Sequence, residues 1–373
     1  MKANSAFKIA VMPGDGIGNE VTQPCLDILD AAAARAGGFA LAYETLPAGA
    51  ACYRDTGSAL PAATMAAARK ADAILLAAMG LPHIRYPDGT EIAPQLDLRV
   101  ELGLYAGVRP ARMVLGTPPV LADARAATID FVLIRESTEG LFALRGKGTN
   151  VGDVEARDTM VITRATSERL FDFAFRLGRA RKRLGRPGKV TCVDKANVLQ
   201  SFAFFRRIFD ERAARHPDID AGHAYVDATA LAMVRRPWDL DVLVTENMFG
   251  DILSDLAAGL VGGMGMAPSA DIGDEHAVFQ PCHGTAPDIA GQGKANPTAM
   301  FLSGAMMLEW LAERHEHRGC AMAAALIRTA VDEAFASGRL VPAEMGGPAG
   351  THAVLGAVMA ALNQIDPGRV AAG

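Results

Sequence analysis

Two acidic residues with a spacing suited to metal binding lie in residues 245–260, TENMFGDILSDLAAGL, a segment that predicts a helix after a turn at Glu246 and Asn247. Asp251 and Asp255 are four residues apart, so both carboxylates project from one face of that helix. Such like charges repel unless a cation lies between them, and Mg²⁺ and Mn²⁺ prefer carboxylate oxygens. The pair indicates a divalent metal site, and the alternative is two solvated acids on an exposed helix. The apolar residues of this helix are expected in the core: Ile252, Leu253, Leu256 and Leu260.

Three arginines, Arg99, Arg109 and Arg135, stand where predicted strands or helices end. The planar fork of a guanidinium matches a carboxylate, so three converging arginines would bind a substrate with two or three carboxyl groups. The alternative is that each of them is an ordinary surface residue.

A lysine and a third aspartate follow two further predicted strands. Lys195 stands in VDKAN, where burial beside a cation could lower its pKa into the range of a general base. The alternative for Lys195 is an ordinary salt bridge. Asp227, in YVDA, would add a third hard oxygen ligand for a metal.

The composition sets limits on the class of protein. With 373 residues, half of them hydrophobic, the chain can form two domains or one large α/β unit. A net charge of −5 gives no sign of a nucleic-acid surface, and no apolar stretch of about 18 residues predicts a membrane span. We expect a cytoplasmic protein, because no secretory signal is recognisable and the five scattered cysteines suit a reducing compartment.

Strands and helices alternate at the start of the chain. The pattern predicts strands near residues 8–12, 41–44 and 73–78, with helices near 19–36 and 61–70 between them. This rhythm predicts a parallel sheet covered by helices. The turn between the first strand and helix, PGDGIG, lacks the third-glycine interval of the dinucleotide fingerprint, so we interpret it as a tight turn near a site.

The sequence pattern predicts loops in two segments. Residues 146–158 are glycine-rich and polar and suggest a protruding arm. Residues 280–291 combine two prolines, two glycines and polar groups without periodicity, which is typical of a functional loop or a poorly ordered one.

A series of motifs, in order along nearly the whole chain, resembles the β-decarboxylating dehydrogenases, the isocitrate/isopropylmalate dehydrogenase family. The motifs are KIAVMPGDGIG, LRVELGLYAGVRPAR, VLIRESTEG, VDKANVL, YVDATA, NMFGDILSDLAAGL, HGTAPDIAGQGKANP and GGPAGTHA. The resemblance implies a two-domain α/β fold that is not a Rossmann fold, with the active site in a cleft. We expect a large domain of residues 1–106 and 262–373 and a smaller central domain of residues 107–261.

The resemblance also implies the roles of individual residues. Asp251 and Asp255 would bind Mg²⁺ or Mn²⁺, with Asp227 supplied by the second subunit of a homodimer or larger assembly. The three arginines would hold the carboxylates of a malate-type substrate. Lys195, also from the second subunit, would relay the proton of the C2 hydroxyl.

The cofactor implied by the resemblance is NAD. Its adenosine end would lie on the loop 283–296, where the family places these residues: His283, Gly284, Thr285, Ala286, Asp288, Ile289 and Asn296. Asp288-Ile289 matches the NAD-type members. This match implies a preference for NAD, because a carboxylate accepts the ribose 2′-hydroxyl and repels a 2′-phosphate.

The chain departs from the family pattern at several positions. Phe142 stands where most members have a catalytic tyrosine, and a phenyl ring cannot donate a proton. Gln280 stands where a glutamate is usual. Before Arg99, Ala93 and Gln95 replace the serine and asparagine of the isocitrate type, and Gln95 also replaces the first of two leucines of the isopropylmalate type. The second of those leucines is present as Leu96, so the segment fits neither pattern fully and favours the isopropylmalate type.

These observations favour NAD- and metal-dependent oxidative decarboxylation of a 3-substituted malate, with 3-isopropylmalate as the preferred substrate. D-malate, tartrate and isocitrate are the alternatives within the family. The alternative from another class is a non-catalytic binding or regulatory subunit with the same fold.

Overall fold

A computed structural model describes residues 5–370, and ten of its twelve strands form one sheet. The strands are β1 (Ser5–Gly14), β2 (Phe39–Thr45), β3 (Ala73–Ala78), β4 (Ala106–Arg112), β5 (Asp130–Glu136), β6 (Thr149–Val151), β7 (Glu155–Arg157), β8 (Lys189–Asp194), β9 (Asp220–Tyr225), β10 (Val242–Thr245), β11 (Pro268–Ile272) and β12 (Ala277–Pro281). The helices are α1 (Gly18–Ala36), α2 (Ala50–Thr56), α3 (Ala62–Ala68), α4 (Pro94–Glu101), α5 (Arg164–Arg183), α6 (Gln200–Ala213), α7 (Val226–Arg235), α8 (Asn247–Leu260), α9 (Thr298–His315), α10 (Arg318–Phe335) and α11 (Thr351–Gln364).

The large sheet has the strand order β2-β1-β3-β12-β11-β4-β5-β10-β8-β9. Neighbouring strands are parallel except around β11 and β4, where β11 is antiparallel to β12 and to β4, and β4 is antiparallel to β5. Helices pack on this sheet, and α1 and α10 contact each other and both contact α9 and α11. The predicted α/β class with a parallel or mixed sheet flanked by helices is confirmed.

Most predicted elements are present, and several were missed. The sequence pattern did not predict α2, α7, α10, β11 or β12, and β11 and β12 lie at the centre of the sheet. The segment expected as an arm forms the exposed two-stranded hairpin β6–β7. All five cysteines are free thiols, and among residues 5–370 no helix is long and apolar enough to cross a membrane.

The glycine turn after β1 packs against the loop that follows β12. Gly16 has a φ of 56°, and a Cβ atom added there would lie 2.1 Å from the carbonyl oxygen of Thr285. The amide of Ile17 donates to that same oxygen over 2.9 Å. Between the glycines, Asp15 accepts hydrogen bonds from the amides of Ala50, Ala51 and Gly80. The turn therefore fixes one end of the loop.

We expect Gly16→Ala to destabilise the fold much more than Gly57→Ala. Both glycines have positive φ, which costs an alanine roughly 1–2 kcal/mol, but only Gly16 has a neighbour in the path of the new Cβ. Urea unfolding of the two variants provides the comparison. Equal losses in the free energy of unfolding would contradict the close packing of the turn on the loop.

Candidate active site

Four polar side chains lie on one face of the sheet near its centre. The strand register pairs Asp271 of β11 with Gly107 of β4, and Gly107 with Arg135 of β5. Because alternate residues of a strand point to the same face, Arg109 shares this face with Asp271 and Arg135. Gln280 of β12 lies on it as well, since its pairing partner Ser269 is two residues from Asp271.

Above this face, α4 and α8 bound a cleft of about 170 Å³. The cleft brings together the three predicted arginines, both aspartates of α8 and the start of the predicted cofactor loop, residues 283–296. Its lining includes Gln95, Arg99, Arg109, Arg135, Asp251, Asp255, Gln280, Cys282, His283 and Gly284. The hypothesis that the arginines are unrelated surface residues is wrong, because all three are buried around one cleft.

Arg99 and Arg109 share one buried acid beneath the cleft. The Nε of Arg99 donates to Oδ2 of Asp271, and a terminal nitrogen of Arg109 donates to Oδ1, each over 2.9 Å. Arg109 also donates to the carbonyl oxygen of Ala270. Asp271 thus fixes the orientation of two guanidinium groups whose remaining N–H groups are available to a carboxylate.

Arg135 is held from a different side. Its Nε and one terminal nitrogen donate to Oδ1 of Asn247, over 2.9 and 2.7 Å, and its other terminal nitrogen contacts Asp251. Burial, together with the neighbouring charge of Arg99, lowers the pKa of Arg135 to about 10. Arg135 therefore remains protonated at neutral pH, and an incoming anion would relieve an unfavourable burial.

The aspartates of α8 face the cleft from the middle of the helix. Glu246 caps α8 by accepting hydrogen bonds from the amides of Met248 and Phe249. Burial and the adjacent charge of Asp251 raise the pKa of Asp255. A cation between the two carboxylates would remove their repulsion.

The prediction that Ile252 belongs to the core is wrong, because its side chain is 62% exposed.

The donor set fits a hard divalent cation but is incomplete within one chain. Asp251 and Asp255 offer carboxylate oxygens to the same cleft, which is the chemistry that Mg²⁺ and Mn²⁺ prefer. In residues 5–370 there is no group of three or more acidic, histidine or cysteine side chains placed to hold a metal. Further ligands would have to come from substrate, water or a second chain.

Lys195 and Asp227 lie outside the cleft, near the β9 edge of the sheet, where β8 and β9 end. The Nζ of Lys195 donates to Oδ1 of Asp227 over 2.7 Å, and this hydrogen bond lowers the pKa of Asp227. The side chain of Asp227 is 68% exposed. Within one chain, the lysine therefore makes the salt bridge that was its alternative interpretation.

The start of the predicted cofactor loop has one acceptor without a hydrogen-bond partner among the described residues. His283 donates from Nδ1 to the carbonyl oxygen of Gly284, which leaves Nε2 as an acceptor. That Nε2 is buried and has no hydrogen-bond partner among the described residues, although His283 lines the cleft. Burial lowers the pKa of this imidazole. A neutral histidine with an unpaired acceptor fits a ligand that carries hydroxyl or amide donors.

The far end of the same loop is tied to α1 by Glu20. This carboxylate accepts hydrogen bonds from the amides of Gly291 and Ala295 and from the hydroxyl of Thr351. Burial opposes ionisation of Glu20, but these hydrogen bonds outweigh it and lower its pKa. Thr351 is the first residue of α11, and its side chain holds the loop.

The remaining predicted cofactor residues lie along the loop rather than in the cleft: Thr285, Ala286, Asp288, Ile289 and Asn296. Asp288 is exposed, whereas Asn296 is buried with both ends of its amide bonded within the protein. Asn296 donates to Glu344 and accepts from the amide and hydroxyl of Thr298. Its side chain therefore shapes the loop.

Two residues that orient the arginines were not predicted from the sequence. Asp271 was overlooked because β11 was not identified, although a single acid between apolar residues is a signal of a buried, paired charge. For Asn247 the sequence pattern predicts only a position in a turn. Its role depends on the packing of α8 against β5, which a local pattern does not reveal.

Comparison with known proteins identifies the family. The model of the isocitrate/isopropylmalate dehydrogenase family matches residues 8–358. The chain is 42% identical over 341 residues to the 3-isopropylmalate/3-methylmalate dehydrogenase of Methanocaldococcus jannaschii, covering 91% of this chain and 94% of the relative. It is 42% identical over 344 residues to the 3-isopropylmalate dehydrogenase of Moorella thermoacetica, covering 90% and 92%.

Solved structures give the same result. Isocitrate dehydrogenase from Methylococcus capsulatus superimposes with a TM-score of 0.83 at 37% identity, covering 96% of this chain and all of the other. A β-decarboxylating dehydrogenase from Thermococcus kodakarensis superimposes with a TM-score of 0.76 at 35% identity, covering 96% of each chain. The chain belongs to the isocitrate/isopropylmalate dehydrogenase family. It is an oxidoreductase of the β-decarboxylating dehydrogenase class, and a non-catalytic role is not favoured.

We expect Arg135→Lys to raise KM for the carboxylic acid substrate by about tenfold or more. A lysine keeps the positive charge but lacks the planar guanidinium that Asn247 holds in place. Arg112→Lys is the matched control, since Arg112 forms a bidentate pair with Asp332 away from the cleft. Steady-state kinetics of both variants test this expectation. A KM that rises equally in both variants would show that Arg135 has no special role in binding.

Proposed function

We propose that this chain catalyses the NAD- and divalent-metal-dependent oxidative decarboxylation of a 3-substituted malate, and that the substrate is 3-isopropylmalate. The observation that carries the proposal is the cleft in which three buried arginines face the two aspartates of α8. The names of the relatives support the substrate, because several at about this level of identity are 3-isopropylmalate dehydrogenases.

In this proposal the arginines bind and orient the two carboxylates of the substrate, so that its C2 carbon faces the cofactor loop. When bound between Asp251 and Asp255, a divalent cation would polarise the C2 hydroxyl and stabilise negative charge on that oxygen, while the nicotinamide would accept the hydride. Lys195 of a second copy would relay the hydroxyl proton, with Asp227 as its hydrogen-bond partner and as a third metal ligand.

The proton that replaces CO₂ needs a donor other than Phe142. The ring of Phe142 lies 5.4 Å from the guanidinium of Arg135, so this side chain is next to the site but carries no acidic proton. We assign this last protonation to water, which can enter the partly open cleft once CO₂ has left.

The proposal includes a homodimer with shared active sites. Asp227, Leu231 and Val234 share one stripe of α7, and the two apolar residues are 59% and 49% exposed. Ile252 is a further exposed apolar residue, on the helix α8 that packs beside α7. An apolar surface next to an incomplete metal site supports an interface with a second copy. We also propose the two-domain division, with residues 107–261 as the central domain that carries this interface.

A second candidate substrate is a malate with a small polar substituent, such as tartrate. One observation favours it: Oε1 of Gln95 is buried at the cleft and has no hydrogen-bond partner among residues 5–370. A substrate hydroxyl would satisfy that acceptor, whereas an isopropyl group would leave it unpaired. Comparison of the two acids as substrates distinguishes these candidates.

We expect the protein to form NADH from 3-isopropylmalate only when Mg²⁺ or Mn²⁺ is present, and to prefer NAD over NADP because Asp288 repels a 2′-phosphate. Absorbance of the reduced cofactor at a series of metal and chelator concentrations measures this. Activity that survives full chelation would refute the requirement for a divalent metal ion. Equal turnover with NADP would refute the role of Asp288 in cofactor choice.

We expect two inactive variants to regain activity when they are mixed, if sites are shared between subunits. Lys195→Ala and Asp255→Asn lie on opposite sides of the proposed shared site, so a hybrid dimer contains one intact site. Each variant is purified alone, and the two are unfolded and refolded together before assay.

The control for this mixing experiment is a mixture of Asp251→Asn with Asp255→Asn. Both residues come from the same chain, so every site in that mixture lacks one ligand and should stay inactive. Failure of the first mixture to regain activity, with both variants folded and dimeric, would contradict shared sites.

A further inference from the structure

A second and larger pocket lies on the opposite face of the sheet from the cleft. Its floor includes Val108 of β4, Ile272 of β11 and Phe279 of β12, and the helices α5 and α9 form its walls. We call this pocket the rear groove, and its volume is about 620 Å³. Successive residues of a strand point to opposite faces, and each floor residue is adjacent in sequence to one polar residue of the cleft face: Arg109, Asp271 or Gln280. The rear groove is therefore separate from the cleft.

The rear groove has the size and the apolar surface of a small-molecule site. Pockets that bind small molecules usually hold about 300–1,000 Å³ and are lined mainly by apolar and aromatic side chains. Helix α5 contributes Phe173 and Leu177 to the lining, and α9 contributes Met306 and Trp310. The two residues of each pair are four apart, so each helix presents one apolar stripe to the groove. The apolar part of a ligand would be buried between these stripes.

One hydrogen-bond donor in the rear groove has no partner. Nε1 of Trp310 is buried, and none of residues 5–370 accepts a hydrogen bond from it. An indole nitrogen can only donate, and a buried donor without an acceptor is unfavourable. A ligand that brings an oxygen acceptor to Trp310 would remove this cost.

The rear groove is also lined by arginines that lack acidic partners. Arg179 of α5 donates two hydrogen bonds to Asp218, each over 2.7 Å, and Asp218 lies outside the groove. The other three arginines form no salt bridge with an acid among residues 5–370: Arg176, Arg183 and Arg314. Arginine side chains of this kind bind carboxylate and phosphate groups.

The acids of the rear groove do not balance these arginines. Asp274 forms a salt bridge with Arg169 over 3.3 Å, and Glu309 forms one with Arg328 over 2.6 Å. Glu313 is the one acid of the lining without a salt bridge to a described residue. Three unpaired positive charges therefore face one unpaired negative charge, and this excess favours an anion.

We propose that the rear groove is a second ligand site, which binds an organic anion with an apolar body. The apolar body lies on the floor between α5 and α9, the arginines of α5 attract its carboxylate or phosphate group, and an oxygen of the ligand accepts a hydrogen bond from Trp310. This site goes beyond the proposed function, because it shares no lining residue with the cleft and does not depend on which acid is oxidised there.

The first test uses 8-anilinonaphthalene-1-sulfonate, an aromatic anion whose fluorescence rises in apolar surroundings. We expect saturable binding of one probe molecule per chain. Arg176→Gln and Arg183→Gln should each weaken binding about threefold or more, because each removes an attracting charge. Glu313→Gln should strengthen binding, because it removes a repelling charge. All three side chains are exposed, so we expect these variants to fold.

Two control variants separate the rear groove from other sites. Arg207→Gln removes an exposed arginine of α6 that has no salt bridge to a described residue and lies outside the groove. Arg135→Gln removes a positive charge from the cleft. We expect both to leave the affinity for the probe unchanged. An affinity that falls in Arg135→Gln alone, or that is the same in all the charge variants, would overturn the proposal.

Tryptophan fluorescence gives an independent measure of where the probe binds. The chain has two tryptophans, and Trp238 lies outside the rear groove. In Trp238→Phe all tryptophan emission comes from Trp310, and we expect the bound probe to quench it. In Trp310→Phe we expect weaker quenching of Trp238 and a lower affinity, since the unpaired N–H is lost. Stronger quenching of Trp238 than of Trp310 would place the probe elsewhere.

Competition identifies the acidic group of the ligand. We measure displacement of the probe by 1-naphthoate and by 1-naphthyl phosphate, which carry the same apolar body, with the neutral 1-naphthalenemethanol as control. Displacement by either anion, and much weaker displacement by the alcohol, is the expected result, and the stronger competitor indicates whether the groove prefers a carboxylate or a phosphate. Equal displacement by all three compounds, or by none, would contradict an anion site.

Discussion

The burial of three positive charges around one cleft is the constraint on which the rest of this site depends. A guanidinium removed from water is costly unless acids or amide oxygens satisfy its N–H groups. Asp271 satisfies Arg99 and Arg109 from below, and Asn247 with Asp251 satisfies Arg135 from α8. The arginines are thereby fixed before substrate arrives, so little conformational entropy is lost when a carboxylate binds.

The topology of the sheet makes this charge arrangement possible. In chain order, β1–β3 form one end of the sheet and β4, β5, β8, β9 and β10 form the other. The last two strands, β11 and β12, lie between β3 and β4 at the centre. Asp271 of β11 and Gln280 of β12 therefore lie between strands that are far from them in the sequence. This strand order also brings the loop that follows β12 against the glycine turn after β1, so the arginine site and the proposed cofactor loop share one framework.

Sequence alone was sufficient for the parts of the site that depend on local spacing. The pair Asp251 and Asp255, the glycine turn and the alternation of strands and helices were all recognisable, because each is set by neighbours in the chain. The short strands β11 and β12 were not recognisable. Strand β11 begins at a proline and β12 ends at one, and each carries a polar residue, Asp271 or Gln280, inside an apolar run. Likewise α2 was missed because its N-terminus is capped by Asp15 from a distant turn. The exposure of Ile252 depends on what surrounds α8, which its own periodicity does not show.

The most direct test of the central claim is anomalous X-ray diffraction from crystals grown with Mn²⁺ and 3-isopropylmalate. The account predicts one strong manganese peak between Asp251 and Asp255, completed by Asp227 of a second copy, with the substrate carboxylates on the three arginines. A manganese peak elsewhere, or substrate carboxylates bound away from Arg99, Arg109 and Arg135, would contradict it.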